Sequence, residues 1–286
     1  LTLAPEILPT PPEAGPMQQM WWVGDPDGVF VFSNLGRYYG LITRVIPQWM
    51  GESPLRPFSN ILPHMNAGEF PMLVLPRRAG HDGRIVHVTR GGKGKATDAT
   101  EYGRLLDQSG REAFLLADDD VPIAVMSGPE DATIFCASAM GLGIHFEGSD
   151  MRSMGRKAVG VNVMKLEGAA DHIVAAFLGT DVEQLAVITA TGSCKRIWFD
   201  DFRTQGRGGA GMQVCKLNAG DRVVGVVPCV AESDLVVTTS HSRVWRTEAT
   251  SFELMGRPAK GNPVFELGAS EVIIGLSVLP TSTSNF

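Results

Sequence analysis

Apolar and polar positions follow one pattern that this chain repeats five times. Each copy opens with a short run of mostly apolar residues: Val29 to Phe32, Ile85 to Val88, Ile134 to Ala137, Leu185 to Ile188 and Leu235 to Thr238. Each run enters a Ser/Thr-x-x-Gly turn: Ser33 to Gly36, Thr89 to Gly92, Ser138 to Gly141, Thr189 to Gly192 and, with Ser replacing Gly, Thr239 to Ser242. The closing residues of these turns lie 56, 49, 51 and 50 positions apart. Short β-branched and aromatic runs ended by turn residues predict strands. A half-apolar run after each turn predicts the return strand of a hairpin, as in Arg37 to Leu41, Lys195 to Trp198 and Arg243 to Arg246.

About twenty residues after the turn the pattern predicts a third strand: Phe58 to Leu62, Phe114 to Ala117, Val161 to Leu166, Met212 to Leu217 and Val264 to Leu267. A polar break follows, and then a fourth strand: Met72 to Leu75, Ile123 to Met126, Ile173 to Phe177 and Val223 to Val227. This fourth strand is read as opening the next unit, so Val272 to Leu276 would begin a sixth unit that does not continue. Repeats of this length with four strands each predict an all-β, propeller-like fold of about five four-stranded blades. A closed ring is expected, because it leaves no sheet edge open.

The chain has 286 residues and 44 % hydrophobic content, enough for one large all-β domain with a full core. The repeat predicts that domain over residues 17–281. A linker at 1–16, with five prolines, precedes it and a tail at 282–286 follows. A start at Leu1 rather than Met is expected of a piece cut from a longer polypeptide. No apolar run reaches the ~18 residues of a membrane span, and no signal peptide is visible. A cytoplasmic protein is expected. Cys136, Cys194, Cys215 and Cys229 form no C-x-x-C pair and read as buried reduced thiols. The six histidines lack metal-ligand spacing; His87 and His145 fall in strands and read as packed side chains. No phosphate-loop motif supports ATP binding. Asp118 to Asp120 and Asp200-Asp201 read as turn residues rather than general acids. Trp21, Trp22, Trp198 and Trp245 read as core or inter-blade packing.

Net charge is −6, which on its own argues against nucleic acid. Distribution changes that picture. Acidic residues collect in the breaks between units. Basic residues collect in two other places. One is the hairpin: Arg37; Arg90, Lys93 and Lys95; Lys195 and Arg196; Arg243 and Arg246. The other is a Gly-rich loop ahead of the third strand. It holds Arg56, Arg111, Arg156 with Lys157, Gln205 with Arg207, Gly208 and Gly209, and Arg257 with Lys260. Gly-Arg recurs there in four of five units. Rotational repetition would place these positions on one ring. Packing explains the glycines but not the arginines, and guanidinium groups beside exposed backbone N–H groups suit phosphates.

Three segments, Val29 to Leu41, Met151 to Val161 and Thr189 to Arg196, resemble repeats of the C-terminal domain of the A subunit of bacterial type IIA topoisomerases, DNA gyrase or topoisomerase IV. The resemblance covers nearly all the chain after Pro16. It implies a β-pinwheel of five or six blades that exchange strands, and a basic perimeter that bends or wraps duplex DNA for strand passage and supercoiling. It implies no catalysis by the domain itself. A cleavage domain of the same polypeptide, with the catalytic tyrosine, and a separate ATPase chain would be the other partners, using ATP and Mg2+. No cofactor is implied in this domain, nor any membrane. Gyrases carry a signature heptad, Gln-Arg-Arg-Gly-Gly-Lys-Gly, in the first blade. Here the nearest match is Gln205 to Gly211, in the fourth unit, with Gly206 and Ala210 in place of Arg and Lys. Arg90 to Gly94 resembles the heptad core but occupies a hairpin turn. These departures put strong, chiral wrapping in doubt: either a blade carrying the true heptad lies upstream, or the protein bends DNA in the manner of topoisomerase IV. A gyrase-like parent is favoured and a topoisomerase IV parent stays open. The alternative from fold class alone is a protein-interaction propeller. A propeller enzyme would need in-phase His or carboxylate residues, and none is read in the repeats.

Overall fold

The computed structural model describes residues 6–7, 28–46, 60–77, 83–103 and 108–279. Strand β1 (Glu6–Ile7) comes first. The first repeat gives β2 (Gly28–Ser33), β3 (Arg37–Ile42) and β4 (Pro71–Arg77). The second gives β5 (Arg84–Thr89), β6 (Lys93–Asp98), β7 (Arg111–Glu112) and β8 (Pro122–Gly128). The third gives β9 (Ile134–Ser138), β10 (Leu142–Phe146), β11 (Val161–Asn162) and β12 (Ile173–Leu178). The fourth gives β13 (Gln184–Thr189), β14 (Ser193–Trp198), β15 (Met212–Gln213) and β16 (Val223–Cys229). The fifth gives β17 (Asp234–Thr239), β18 (Val244–Glu248), β19 (Asn262–Pro263) and β20 (Ile273–Val278).

These strands form five antiparallel sheets of four, ordered β4-β2-β3-β7, β8-β5-β6-β11, β12-β9-β10-β15, β16-β13-β14-β19 and β20-β17-β18-β1. The all-β expectation and the five hairpins are borne out. Two details differ. The fourth strand belongs to the sheet of the hairpin before it, so β20 pairs with β17 and completes the fifth sheet rather than opening a sixth unit. The third strand is two residues long and joins the sheet of the preceding repeat: β7 pairs with β3, β11 with β6, β15 with β10 and β19 with β14. In the fifth sheet β1 takes that place beside β18. In the first repeat, residues 60–62 form no strand, and Phe58 lies outside the described residues.

The third strand is short because its chain then wraps the hairpin turn. Ala113 and Phe114 both donate their amides to the Gly36 carbonyl, and Val214 and Cys215 to that of Gly141. Their side chains, like those of Val163 and Met164, plug the core instead of extending the ladder. At Gly36 the turn therefore leaves no room for a side chain. Gly36 has φ +70, and the Phe114 carbonyl occupies the space a Cβ would need. Ser242 accepts the same left-handed conformation, at φ 59, in the fifth hairpin.

The first hairpin strands β2, β5, β9 and β13 are buried at every residue, which explains their mostly apolar runs. The chain divides into two compact units. One comprises Trp21–Ala132 with Gly148–Val163 and holds the first two sheets. Its core is aromatic: Phe30, Phe32, Tyr38 and Tyr102 meet edge-on or tilted, and β4 packs on β8. The other comprises Leu1–Met20, Thr133–Glu147 and Met164–Phe286 and holds the last three sheets. There β12 packs on β16 and β16 on β20, around clusters centred on Phe135, Phe199 and Phe202 and on Trp245, Phe252 and Phe265. All four cysteines are buried free thiols, as expected. His87 is buried with Nε2 2.6 Å from the Tyr102 hydroxyl, and burial drives its pKa down to about 3. Trp198 is 44 % exposed, contrary to the packing expected of it, because it sits at the end of β14. Trp21 and Trp22 lie outside the described residues.

Candidate nucleic-acid interface

The two basic sites expected from the sequence behave differently. The hairpin cations are mostly committed to the fold. Lys95 is fully buried; its Nζ donates to the Gly155 carbonyl at 3.0 Å and to that of Arg156. Lys195 is 1 % exposed and donates to the carbonyls of Gly256, Arg257 and Ala259 at 3.2, 2.6 and 2.9 Å. Arg196 is buried, with Nε on the Phe252 carbonyl at 2.8 Å and Nη1 on Gln184 Oε1 at 2.6 Å. These three do not reach a surface where a phosphate could sit. Arg37 pairs with Glu69 at 2.9 Å and donates to the Ser109 and Gly110 carbonyls. Arg243 is clamped by both oxygens of Glu271 and lies 4.5 Å over the Trp245 ring. Arg246 pairs with Asp234. Lys93 is half-buried and bonds Asn162 Oδ1 at 2.8 Å, while Arg90 is exposed at its turn.

Glu69 and Glu271 belong to a set that the pattern of glycines and arginines does not reveal. Residues 69, 120, 171, 221 and 271 are all acidic, at intervals of 51, 51, 50 and 50. Asp120, Asp171 and Asp221 accept the turn amides of Gly91, Met140 and Thr191 at 2.8, 3.0 and 3.1 Å. Glu271 accepts the Thr239 hydroxyl at 2.5 Å. The set caps the hairpin turns. The partner follows the residue that opens the return strand: with Arg37 and Arg243 the acid is a Glu that reaches the guanidinium, and with Lys93, Leu142 and Ser193 it is an Asp on the turn backbone. Hydrogen bonds from Arg243, against the opposing effect of burial, hold the Glu271 carboxyl at about 2. Burial would raise the Glu69 carboxyl, but hydrogen bonds from Ser33 and the Asn66 amide hold it below its usual range. In-phase carboxylates therefore exist, contrary to expectation, but each is taken up by its own turn. The same repeat interval, counted on acidic residues instead of Gly, marks them in the sequence.

The Gly-rich loops present their cations outward. Each begins with a parallel bridge or amide bond to the hairpin of the preceding repeat: Met154 to Ala96, Gln205 to His145, and Met255 to Arg196. A one-turn bend follows, closed by the amide of Ala158 on Gly155, Gly209 on Gly206 and Ala259 on Gly256. Each then ends on Gly160, Gly211 or Gly261, at φ +77 to +84, with a hairpin carbonyl 2.5–2.7 Å from a Cβ position. Arg156 lies 5.7 Å over the Tyr38 ring and donates to the Glu112 carbonyl at 3.0 Å. Arg257 repeats this arrangement over Phe202, at 5.3 Å, with the Gln213 carbonyl at 3.4 Å. Stacking holds the guanidinium plane in place at the loop surface. Lys157 and Lys260 are exposed, meeting Glu112 at 2.9 Å and Asn218 at 2.7 Å. Arg111 is exposed, and Arg207 is half-exposed beside Gly208. Arg56 lies outside the described residues.

Four further cations join these loops from outside the Gly-Arg pattern. Arg152 and Arg203 are exposed, each four residues ahead of a loop arginine. Lys165 and Lys216 are exposed, and their amides bond the loop carbonyls of Gly209 and Ala259. Among the described residues no cluster of His, Cys, Asp or Glu could hold a metal, and no helix is long and apolar enough to cross a membrane.

Known proteins share both the repeat and the fold. The family model described as DNA gyrase C-terminal domain, beta-propeller, matches residues 132–178, 183–229 and 233–280. The A subunit of DNA gyrase from Salmonella typhimurium strain LT2 is 29 % identical over 254 residues, covering 87 % of this chain and 28 % of that protein. The chain thus spans less than a third of the relative's length. Among solved structures, the C-terminal domain of a DNA topoisomerase IV superposes with TM-score 0.79 at 22 % identity, covering 88 % of this chain and 79 % of that one. The C-terminal domain of a DNA gyrase A gives 0.77 at 21 %, covering 90 % and 84 %.

Proposed function

We propose, from the premise that this chain belongs to the family of DNA gyrase C-terminal, beta-propeller domains, that it binds duplex DNA through phosphates and bends it without catalysing a reaction itself. One observation carries the reading. The exposed cations recur at the Gly-Arg loops in both units, while most hairpin cations are buried or paired. Phosphate contacts of this kind fix a duplex without reading its sequence. Bending ~20–30 bp through a large angle costs on the order of 1–6 kcal/mol, which successive phosphate contacts can offset. The parent protein would be the A subunit of gyrase or topoisomerase IV, with cleavage and ATP hydrolysis carried by other domains and chains. The broken heptad at Gln205 to Gly211 favours modest bending over full wrapping.

The test is affinity for a short linear duplex as salt rises. A fall in log K of about 0.9 per neutralised phosphate, against log salt, is expected. Salt-independent or absent binding contradicts the proposal. End-label energy transfer then gives the bend angle and separates the two parents. One observation favours an added protein contact: Leu35, Phe70 and Leu115 are about half exposed at the tip of the first sheet. Salt-insensitive capture of a protein partner, lost on Leu115→Ser, would support that second reading.

A further inference from the structure

Two lysines in the hairpins meet no solvent, yet each is bound to a Gly-Arg loop. In β6, Lys95 reaches the loop at Gly155-Arg156; in β14, Lys195 reaches the loop at Gly256 to Ala259. The two cases lie in different units and are independent. The phase-equivalent residues of the other hairpins are Tyr39, Ile144 and Trp245, so the fold itself does not require an ammonium there. A buried ammonium is costly unless its donors are satisfied. Lys195 has three donors and finds three loop carbonyls.

A trans peptide points its C=O and N–H in opposite directions. Carbonyls drawn inward to the ammonium therefore turn the following amides outward: those of Arg156 and Lys157 in one loop, and of Arg257 and Lys260 in the other. The structure already shows an anion at one of them, since the Arg156 amide donates to Glu101 Oε2 at 3.3 Å. We infer that Lys95 and Lys195 are positioning residues for phosphate binding, each holding its Gly-Arg loop by the carbonyls so that the loop's amides and arginine face the duplex. This rests on the DNA reading above.

Burial pushes both ammonium groups down to about 8. Around Lys95 the other charged or titratable groups are Glu101, Arg156 and His87; around Lys195 they are Cys215 and Arg257. Near pH 8 each lysine starts to lose the proton that satisfies the carbonyls, and the loop loses its anchor. Above that pH, duplex affinity is expected to fall beyond what other titrations cause.

The experiment measures duplex affinity from pH 7 to 9.5 for the 286-residue chain and for Lys195→Met, together with the carbonyl carbon shifts of Gly256 and Ala259. Wild-type affinity should fall above pH 8. The variant should bind about tenfold more weakly at pH 7, the size of one lost charge contact, and show a flatter pH profile. The carbonyl shifts should titrate with the Lys195 amine. Equal affinity and an identical pH profile in the variant overturn the inference. Should the variant fail to fold, the wild-type carbonyl shifts decide: no titration near the amine midpoint overturns it. A wild-type chain that binds no duplex overturns the phosphate role together with the DNA reading, while the shifts still report whether the lysine holds the loop.

Discussion

The hairpins carrying Lys195 and Arg243 are consecutive in the chain and share one backbone plan, yet use positive charge in opposite ways. Lys195 turns inward under a loop from the next repeat, whose arginine is left at the surface. Arg243 turns along its own strand and is neutralised by Glu271. In neither does the hairpin charge remain for a ligand. A basic residue in a repeat is thus informative only once its carboxylate or carbonyl partners are known. Arg156 and Arg257 differ because an aromatic ring and a backbone carbonyl hold each guanidinium without neutralising it.

This contrast breaks if charge at the two sites can be exchanged without consequence. Glu271→Gln should cost about 2 kcal/mol, less than the ~3–5 of a fully buried pair because Arg243 is 34 % exposed. Chemical denaturation would show it, with duplex affinity unchanged. The same pair should weaken in acid. The folded carboxyl titrates at about 2, below its ordinary value of 4.5, so its contribution is full above 4.5 and is lost as pH falls toward 2. A variant with wild-type acid sensitivity would refute the clamp.

Arg257→Ala should do the reverse. Affinity for all duplex sequences should drop about tenfold, ~1.4 kcal/mol, with the unfolding midpoint little moved. Lys195 gives a third effect, bounded by ~1.4 kcal/mol per pH unit for one full proton. Its folded value of about 8 lies below its ordinary value of 10.5, so between these pH values the unfolded chain binds more protons. Stability should therefore rise with pH through that window, a component absent from Lys195→Met in thermal scans. The smallest effect belongs to Lys157→Ala. Its pair with Glu112 is exposed on both sides, so thermal stability should barely change, while duplex affinity weakens a few-fold.

The hairpins are legible in the sequence because a quartet buried on both faces needs a mostly apolar run and a left-handed turn residue. Strand ownership is hidden. Whether Val161 pairs with its own hairpin or with Gly94 of the preceding repeat depends on contacts about sixty-seven residues apart, which a local pattern does not carry. The Gly-Arg loops are visible as an in-phase pair of residue types. Lys95 and Lys195 look equally available in the sequence because burial depends on depth along the strand as well as on face: two residues earlier, on the same face, Lys93 and Ser193 are only half-buried. The acidic caps are masked because Asp120 sits in a run of three aspartates, where only its phase marks it.

The most direct measurement is the salt dependence of duplex affinity for Arg156→Ala/Arg207→Ala/Arg257→Ala beside the unaltered chain. If the loops grip phosphates, the slope of log K against log salt should flatten by about 0.9 for each contact removed, up to ~2.7, with the fold intact. An unchanged slope in a folded triple variant would contradict the claim that these loops are where the duplex is held.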